Sequence, residues 1–233
     1  MKDRTDVFLI HGISKTIGSD YYDSFVRKIR DRLPIDTDID FHPIDYSHLL
    51  AEKESEIYRW MSDMAWPKLR RFATDYICDV LAWGWPAKRP AEKGDFVFDV
   101  TDMFRKKYQA VNKEYPKSRK IIIGHSLGTI IGYQLTWDFH IDQLITMGSP
   151  FCYFSIRYSG FGQMNPNLKE WTNFWRSRDP VSTIVRRNPS FSGVKDVEVK
   201  SWNPLNQLPL RSHSIYFSNE FVSKEIAKIL LTS

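Results

Sequence analysis

Cysteine is scarce in this chain of 233 residues, which contains only Cys78 and Cys152. Neither has a second cysteine or a histidine near it at the spacing of a zinc site, and one pair does not make a disulfide framework. We therefore expect two free thiols, no metal site at either of them, and a reducing compartment.

The first apolar run, at 7–10, is also short. It is far below the length of a signal-peptide core or of a membrane span. On this basis we expect a cytoplasmic protein without a membrane span.

Blocks of one charge sign are missing as well. The formal net charge is +5, but 33 basic residues are interspersed with 28 acidic ones, and no block of like charge reaches five residues. This distribution argues against a nucleic-acid partner. The densest basic groups are interpreted as solvated faces, with peripheral contact to anionic lipid as the alternative: Arg70 and Arg71, and the set Arg176, Arg178, Arg186 and Arg187.

What the chain does contain is a regular alternation of short apolar runs and helical patterns, with 42% hydrophobic residues overall. Strands are predicted at 6–10, 39–46, 120–124, 141–147, 171–176 and 194–202, and helices at 21–33, 100–111, 127–137 and 219–231. Parallel strands need long crossover connections, so this order predicts an α/β fold with a mostly parallel sheet and helices on both faces. We expect one domain over 1–233.

The segment 48–95 departs from this alternation. It is rich in tryptophan, with two predicted helices followed by a turn-rich stretch around Trp83. We interpret it as a candidate cap or lid over a substrate pocket, with packing into the core as the alternative.

The sequence Gly124-His125-Ser126-Leu127-Gly128 matches the G-x-S-x-G nucleophile elbow. A predicted buried strand precedes the motif and a predicted helix follows it, which is the context that the motif requires. In an elbow the serine lies on a strained turn, and the flanking glycines avoid collisions with neighbouring backbone. Ser126 is therefore the candidate nucleophile.

A serine hydroxyl needs a neighbouring base and a group that orients the base. Of the two histidines after Ser126, His140 begins a strand at the wrong end, so His213, in a predicted loop, is the candidate base. Asp179 follows a strand and is the candidate acid, because catalytic groups gather at the carboxyl ends of parallel strands. Its competitors lie near strand starts: Asp138, Asp142 and Asp196.

Two backbone N–H groups are also expected to bind the oxyanion of a tetrahedral intermediate. The elbow supplies that of Leu127, and the loop after the first strand supplies that of Ile13, while His11 is expected to be structural. The side chain of His125 is expected to point away from the substrate. The candidate pocket residues are Gly12, His125, Phe151, Tyr153 and Trp83.

With these motifs the chain resembles the α/β-hydrolase superfamily, and within it the lipase-like serine esterases. The matching pieces cover nearly the whole chain: His11-Gly12, the elbow at 124–128, the Gly-Ser-Pro that ends 146–150, the Asp-Pro-Val at 179–181, and 212–216. The resemblance implies hydrolysis of a small-molecule or lipid ester, without metal or cofactor. The early position of the first strand implies a reduced sheet that lacks the usual first strands, and leaves the oligomeric state open.

Two alternatives stay open. A thioesterase or an acyltransferase would use the same triad with another leaving group or acceptor. A non-catalytic interaction module would keep the α/β-hydrolase fold and lose the chemistry.

Overall fold

The computed structural model describes residues 4–12, 19–46, 49, 96–157, 162–200 and 209–232. Ile13, Trp83 and all of the predicted cap segment 48–95 except Leu49 lie outside these residues. No helix in the described ranges combines the length and the apolarity that crossing a membrane requires.

Six strands form a single sheet in the described part of the chain: β1 (Thr5–Ile10), β2 (Ile39–Ile44), β3 (Arg119–His125), β4 (Gln143–Met147), β5 (Glu170–Trp175) and β6 (Lys195–Glu198). Their order is β2-β1-β3-β4-β5-β6, and every neighbouring pair is parallel. All six carboxyl ends therefore meet at one edge, which is where ligands bind in open parallel sheets. The predicted fold class is confirmed.

The helices are α1 (Ser19–Arg30), α2 (Phe96–Glu114), α3 (Leu127–Asp138), α4 (Phe151–Arg157), α5 (Pro209–Ser214) and α6 (Glu220–Leu231). Short 3-10 turns lie at Val185–Arg187, Pro189–Phe191 and Ile215–Phe217.

The core has two layers, one on each face of the sheet. Because strand side chains alternate between faces, Phe8 and Ile10 of β1 pack in one cluster with Phe104 of α2 and Ile130 of α3. Val7 and Leu9 pack in the other, with side chains of α1 and α6. Helices therefore cover both faces, which explains why every residue of β1 is buried.

Two local predictions are wrong. The last strand was expected over 194–202 and ends at Glu198. His213 was expected in a loop and lies in helix α5. Pro209 is the first residue of that helix, a position where proline is favoured because its fixed φ suits the first turn and no N–H is needed there.

Candidate active site

Ser126 lies between β3 and α3 with φ 53° and ψ −124°, a left-handed conformation that is unfavourable for a residue with a Cβ. Among the described residues it is the only non-glycine with positive φ. A Cβ on Gly124 would lie 2.6 Å from the carbonyl oxygen of Gly128, and a Cβ on Gly128 would collide with the carbonyl oxygen of Ile10. The glycines of the motif thus permit the sharp strand-to-helix turn.

The imidazole of His213 is bound to a buried carboxylate. Its Nδ1 lies 3.0 Å from Oδ1 and 2.9 Å from Oδ2 of Asp179, in the loop that follows β5. Oδ1 also accepts from the N–H of Val181 at 2.9 Å, and Oδ2 accepts from the hydroxyl of Tyr216 at 2.8 Å. Burial alone would raise the pKa of Asp179, but the charge of His213 and these hydrogen bonds outweigh it and lower that pKa. Asp179 is thus a buried anion that holds the histidine by Nδ1.

Three observations place His213 and Asp179 near the elbow. The N–H of Ser126 donates to the carbonyl of Met147 at 3.0 Å, which fixes the elbow against the end of β4. The next residue, Gly148, has φ 60°, and a Cβ there would lie 3.1 Å from Cε1 of His213 and 3.2 Å from Oδ2 of Asp179. Nε2 of His125, the residue before Ser126, lies 2.9 Å from the carbonyl oxygen of His213. The carboxyl ends of β3, β4 and β5 therefore bring His125, Gly148 and Asp179 close to His213, and Ser126 directly follows His125 in the chain.

No family model and no curated protein sequence matches the chain. Solved structures do. A protein of Xanthomonas campestris pv. campestris assigned to the alpha/beta hydrolase superfamily is 13% identical with a TM-score of 0.56, and the alignment covers 99% of this chain and 100% of that one. The esterase of Pyrococcus furiosus is 11% identical with a TM-score of 0.52, over 98% and 83% of the two chains. An alpha-beta serine hydrolase homologue of Coxiella burnetii is 10% identical with a TM-score of 0.51, over 98% and 85%.

The chain has the α/β-hydrolase fold. At these identities the likeness extends to the fold alone, so the roles of individual residues depend on the geometry of this site.

In this α/β-hydrolase fold the backbone of Gly12 faces the elbow. A Cβ at Gly12 would lie 2.5 Å from Cβ and 3.1 Å from Oγ of Ser126, so only glycine leaves room beside the hydroxyl. Leu127 is the first residue of α3, and its N–H is one of the helix N-terminal donors without a partner inside the helix. The second predicted oxyanion donor, Ile13, lies outside the described residues.

The remaining pocket candidates fall in different surroundings. Phe151 is fully buried in an aromatic cluster with Tyr133, Trp171 and Phe191, so it offers no surface to a ligand in this structure. Tyr153 on α4 is exposed.

His125 and His11 are both buried. His125 contacts His213, as given above. His11 is fully buried and stacks on Tyr46 with ring centroids 4.1 Å apart, in agreement with the expected structural role.

The competing acids lie elsewhere. Asp142 accepts from the N–H of Lys120 at 2.9 Å, at the opposite edge of the sheet. Asp138 is the exposed last residue of α3. Asp196 lies near the start of β6, as expected, where it accepts from Asn173 at 2.6 Å and from the N–H of Val185 at 3.0 Å.

Tyr216 and Gly148 belong to the site but received no role from the sequence, and the interpretation of Arg176 as part of a solvated basic face is wrong because its side chain is buried. The buried guanidinium of Arg176 donates through Nε to the hydroxyl of Ser212 at 2.8 Å, next to His213. Tyr216 follows His213 by three residues, a spacing that places two side chains on one side of a helical turn. That spacing was a usable signal for Tyr216, whereas the contact of Arg176 depends on how the chain returns to the end of β5.

A group of potential metal ligands lies at the opposite edge of the sheet. Single ligand atoms of Asp6, Asp40 and His42 fall within 4.8 Å of one another. Arg4 already donates to Asp6 at 3.0 Å and to Asp40 at 3.2 Å, and the ammonium of Lys120 is 3.9 Å from Asp6. The carboxylates of Asp6 and Asp40 are thus already paired with the cationic side chains of Arg4 and Lys120. The group is therefore better explained as a network of ion pairs than as a metal site.

Proposed function

We propose that the protein is a serine hydrolase that cleaves carboxylic esters through an acyl-enzyme on Ser126. Two observations carry the proposal: Ser126 lies on a strained turn, and Nδ1 of His213 is bound by buried Asp179. His125, the residue before Ser126, contacts the main chain of His213 and so links the two. A carboxylate on Nδ1 fixes the tautomer with its proton there, which leaves Nε2 as the basic nitrogen.

In the first half of the reaction Nε2 of His213 takes the proton of the Ser126 hydroxyl as Oγ attacks the ester carbonyl. The negative charge that develops on the carbonyl oxygen is bound by the N–H of Leu127 and, in our proposal, by that of Ile13. Collapse of the tetrahedral intermediate breaks the bond to the alcohol, which leaves with the proton from His213.

In the second half His213 takes a proton from water as the water oxygen attacks the acyl carbonyl. When this second tetrahedral intermediate collapses, the bond to Oγ of Ser126 breaks, His213 returns the proton to Oγ, and the carboxylic acid is released. Side chains and backbone groups of this chain supply every step. Asp179 stays ionised and stabilises the imidazolium that forms twice in each cycle, in keeping with its lowered pKa.

A lipid ester is the favoured substrate class because aromatic residues are concentrated in the segment 48–95, and Tyr153 after Pro150 is exposed. Esters and thioesters share the acylation chemistry, so the leaving group has to be assigned by assay.

The test is hydrolysis of nitrophenyl esters with acyl chains of increasing length, alongside matched thioesters. Ser126→Ala is expected to reduce turnover about 10⁶-fold. Ser155→Ala is the control, because in the described part of the chain the hydroxyl of Ser155 bonds within its own helix, to the carbonyl of Cys152 at 3.0 Å. Turnover that survives in Ser126→Ala, or that is lost equally in both variants, would refute the assignment.

A further inference from the structure

His125 precedes Ser126 at the end of β3, and its ring is buried against the base. The ring centroids of His125 and His213 are 4.8 Å apart at 34°, and Nε2 of His125 lies 2.9 Å from the carbonyl oxygen of His213. A carbonyl oxygen only accepts hydrogen bonds, so His125 must be the donor through Nε2–H. Phe217 packs edge-on against the same ring at 4.7 Å.

This geometry determines the protonation state of His125. Burial first, and the neighbouring charge of His213 second, lower the pKa of His125 to about 3. The ring is therefore neutral near pH 7 and carries its single proton on Nε2. It neither gains nor loses a proton in the pH range where a serine and histidine pair works.

The hydrogen bond from His125 differs from the other hydrogen bonds around His213. Asp179 holds the imidazole ring of His213, and Arg176 holds the neighbouring hydroxyl of Ser212. The bond from His125 instead ties the main chain of His213 to the residue that precedes the nucleophile. It joins α5 to β3 across 88 residues of sequence.

We infer that His125 is a positioning residue, which holds the backbone of His213 so that its imidazole stays within reach of Ser126. This inference rests on the proposed function. Small displacements of a reacting group lower the rate of the chemical step by up to about 10²-fold. Binding of the substrate does not depend on this bond, so kcat is the constant that changes.

The test uses two replacements of similar size. His125→Gln keeps an N–H donor close to the position of Nε2, whereas His125→Leu removes it. We expect His125→Leu to lower kcat about 10-fold to 100-fold with little change in KM, and His125→Gln to restore most of the loss. If Leu and Gln behave alike, or if KM changes and kcat does not, the inference is wrong.

A second readout separates positioning from loss of folded protein. In His125→Leu the backbone of His213 loses its hydrogen bond, so the imidazole is held less firmly against Asp179, and the low-field proton signal of Nδ1–H in His213 is expected to broaden. A smaller amount of folded enzyme lowers the intensity of this signal without broadening it, and that result would overturn the inference.

Should His125→Leu fail to fold, His125→Asn replaces it, because its shorter side chain also fails to reach the carbonyl. A wild type that hydrolyses no ester and reacts with no fluorophosphonate counts against the proposed function. An active wild type with an unaltered His125→Leu counts against the positioning role alone.

Discussion

The hydroxyl of Tyr216 donates to Oδ2 of Asp179 at 2.8 Å, and the same carboxylate binds Nδ1 of His213, three residues earlier in the chain. The segment from His213 to Tyr216 thus binds Asp179 twice, through the imidazole of His213 and through the hydroxyl of Tyr216. Asp179 is 4% exposed, so both bonds form away from water, where hydrogen bonds to a charged group are strong.

Tyr216→Phe is expected to lower the free energy of unfolding by about 1.5–3 kcal/mol, because a fully buried hydrogen bond to a carboxylate is lost. Turnover should fall as well, since Asp179 gains freedom to rotate. Chemical denaturation and ester hydrolysis measure the two effects. Tyr153→Phe is the control because Tyr153 is exposed on α4, and an equal effect there would contradict the account.

Asp179→Asn is expected to lower kcat by about 10⁴-fold while the fold is kept, because an amide that donates to Nδ1 favours the wrong tautomer of His213. Asp138→Asn, at an exposed position, is expected to keep normal turnover. Steady-state kinetics with circular dichroism on both variants checks this. Normal turnover in Asp179→Asn would mean that another carboxylate orients His213.

Gly12→Ala is expected to abolish activity, because the new methyl would lie 2.5 Å from Cβ of Ser126 and displace the nucleophile. The matched control is Gly193→Ala, where among the described residues a Cβ meets Sδ of Met164 at the ordinary distance of 3.8 Å. Hydrolysis rates and melting temperatures of both variants distinguish a local effect from unfolding. An active Gly12→Ala enzyme would mean that this loop does not face the hydroxyl.

Much of the fold could be predicted because its signals are local. The run Ile121, Ile122 and Ile123 is apolar since both faces of β3 are covered, and Ser126 follows it in a motif with its own backbone geometry. The contacts around His213 could not be predicted in the same way. They depend on the order of the strands and on the short helix that starts at Pro209. The sequence around His213 is typical of a loop, so it did not predict this helix.

Stability at low pH is expected to depend on Asp6 at the opposite edge of the sheet. Burial would raise the pKa of Asp6, but hydrogen bonds from Ser118, His42 and Arg4 hold it below the usual 3.8. A lowered folded-state pKa stabilises the protein at pH values above 3.8, and this contribution is lost as the pH falls through the folded-state pKa.

Asp6→Asn removes this titrating group. The wild type should therefore exceed the variant in unfolding free energy by a constant amount above about pH 5, and the difference should shrink below pH 3.8. Urea denaturation at a series of pH values measures it. A difference that is the same at every pH would show that Asp6 contributes through packing and not through its charge.

The most direct test of the central claim is the site of reaction with a fluorophosphonate, which bonds covalently to an activated serine and releases fluoride. Peptide mapping by mass spectrometry should find one phosphonyl group on Ser126, with labelling lost in Ser126→Ala and strongly slowed in His213→Ala. An unlabelled wild type, or an adduct on any other residue, would contradict the account.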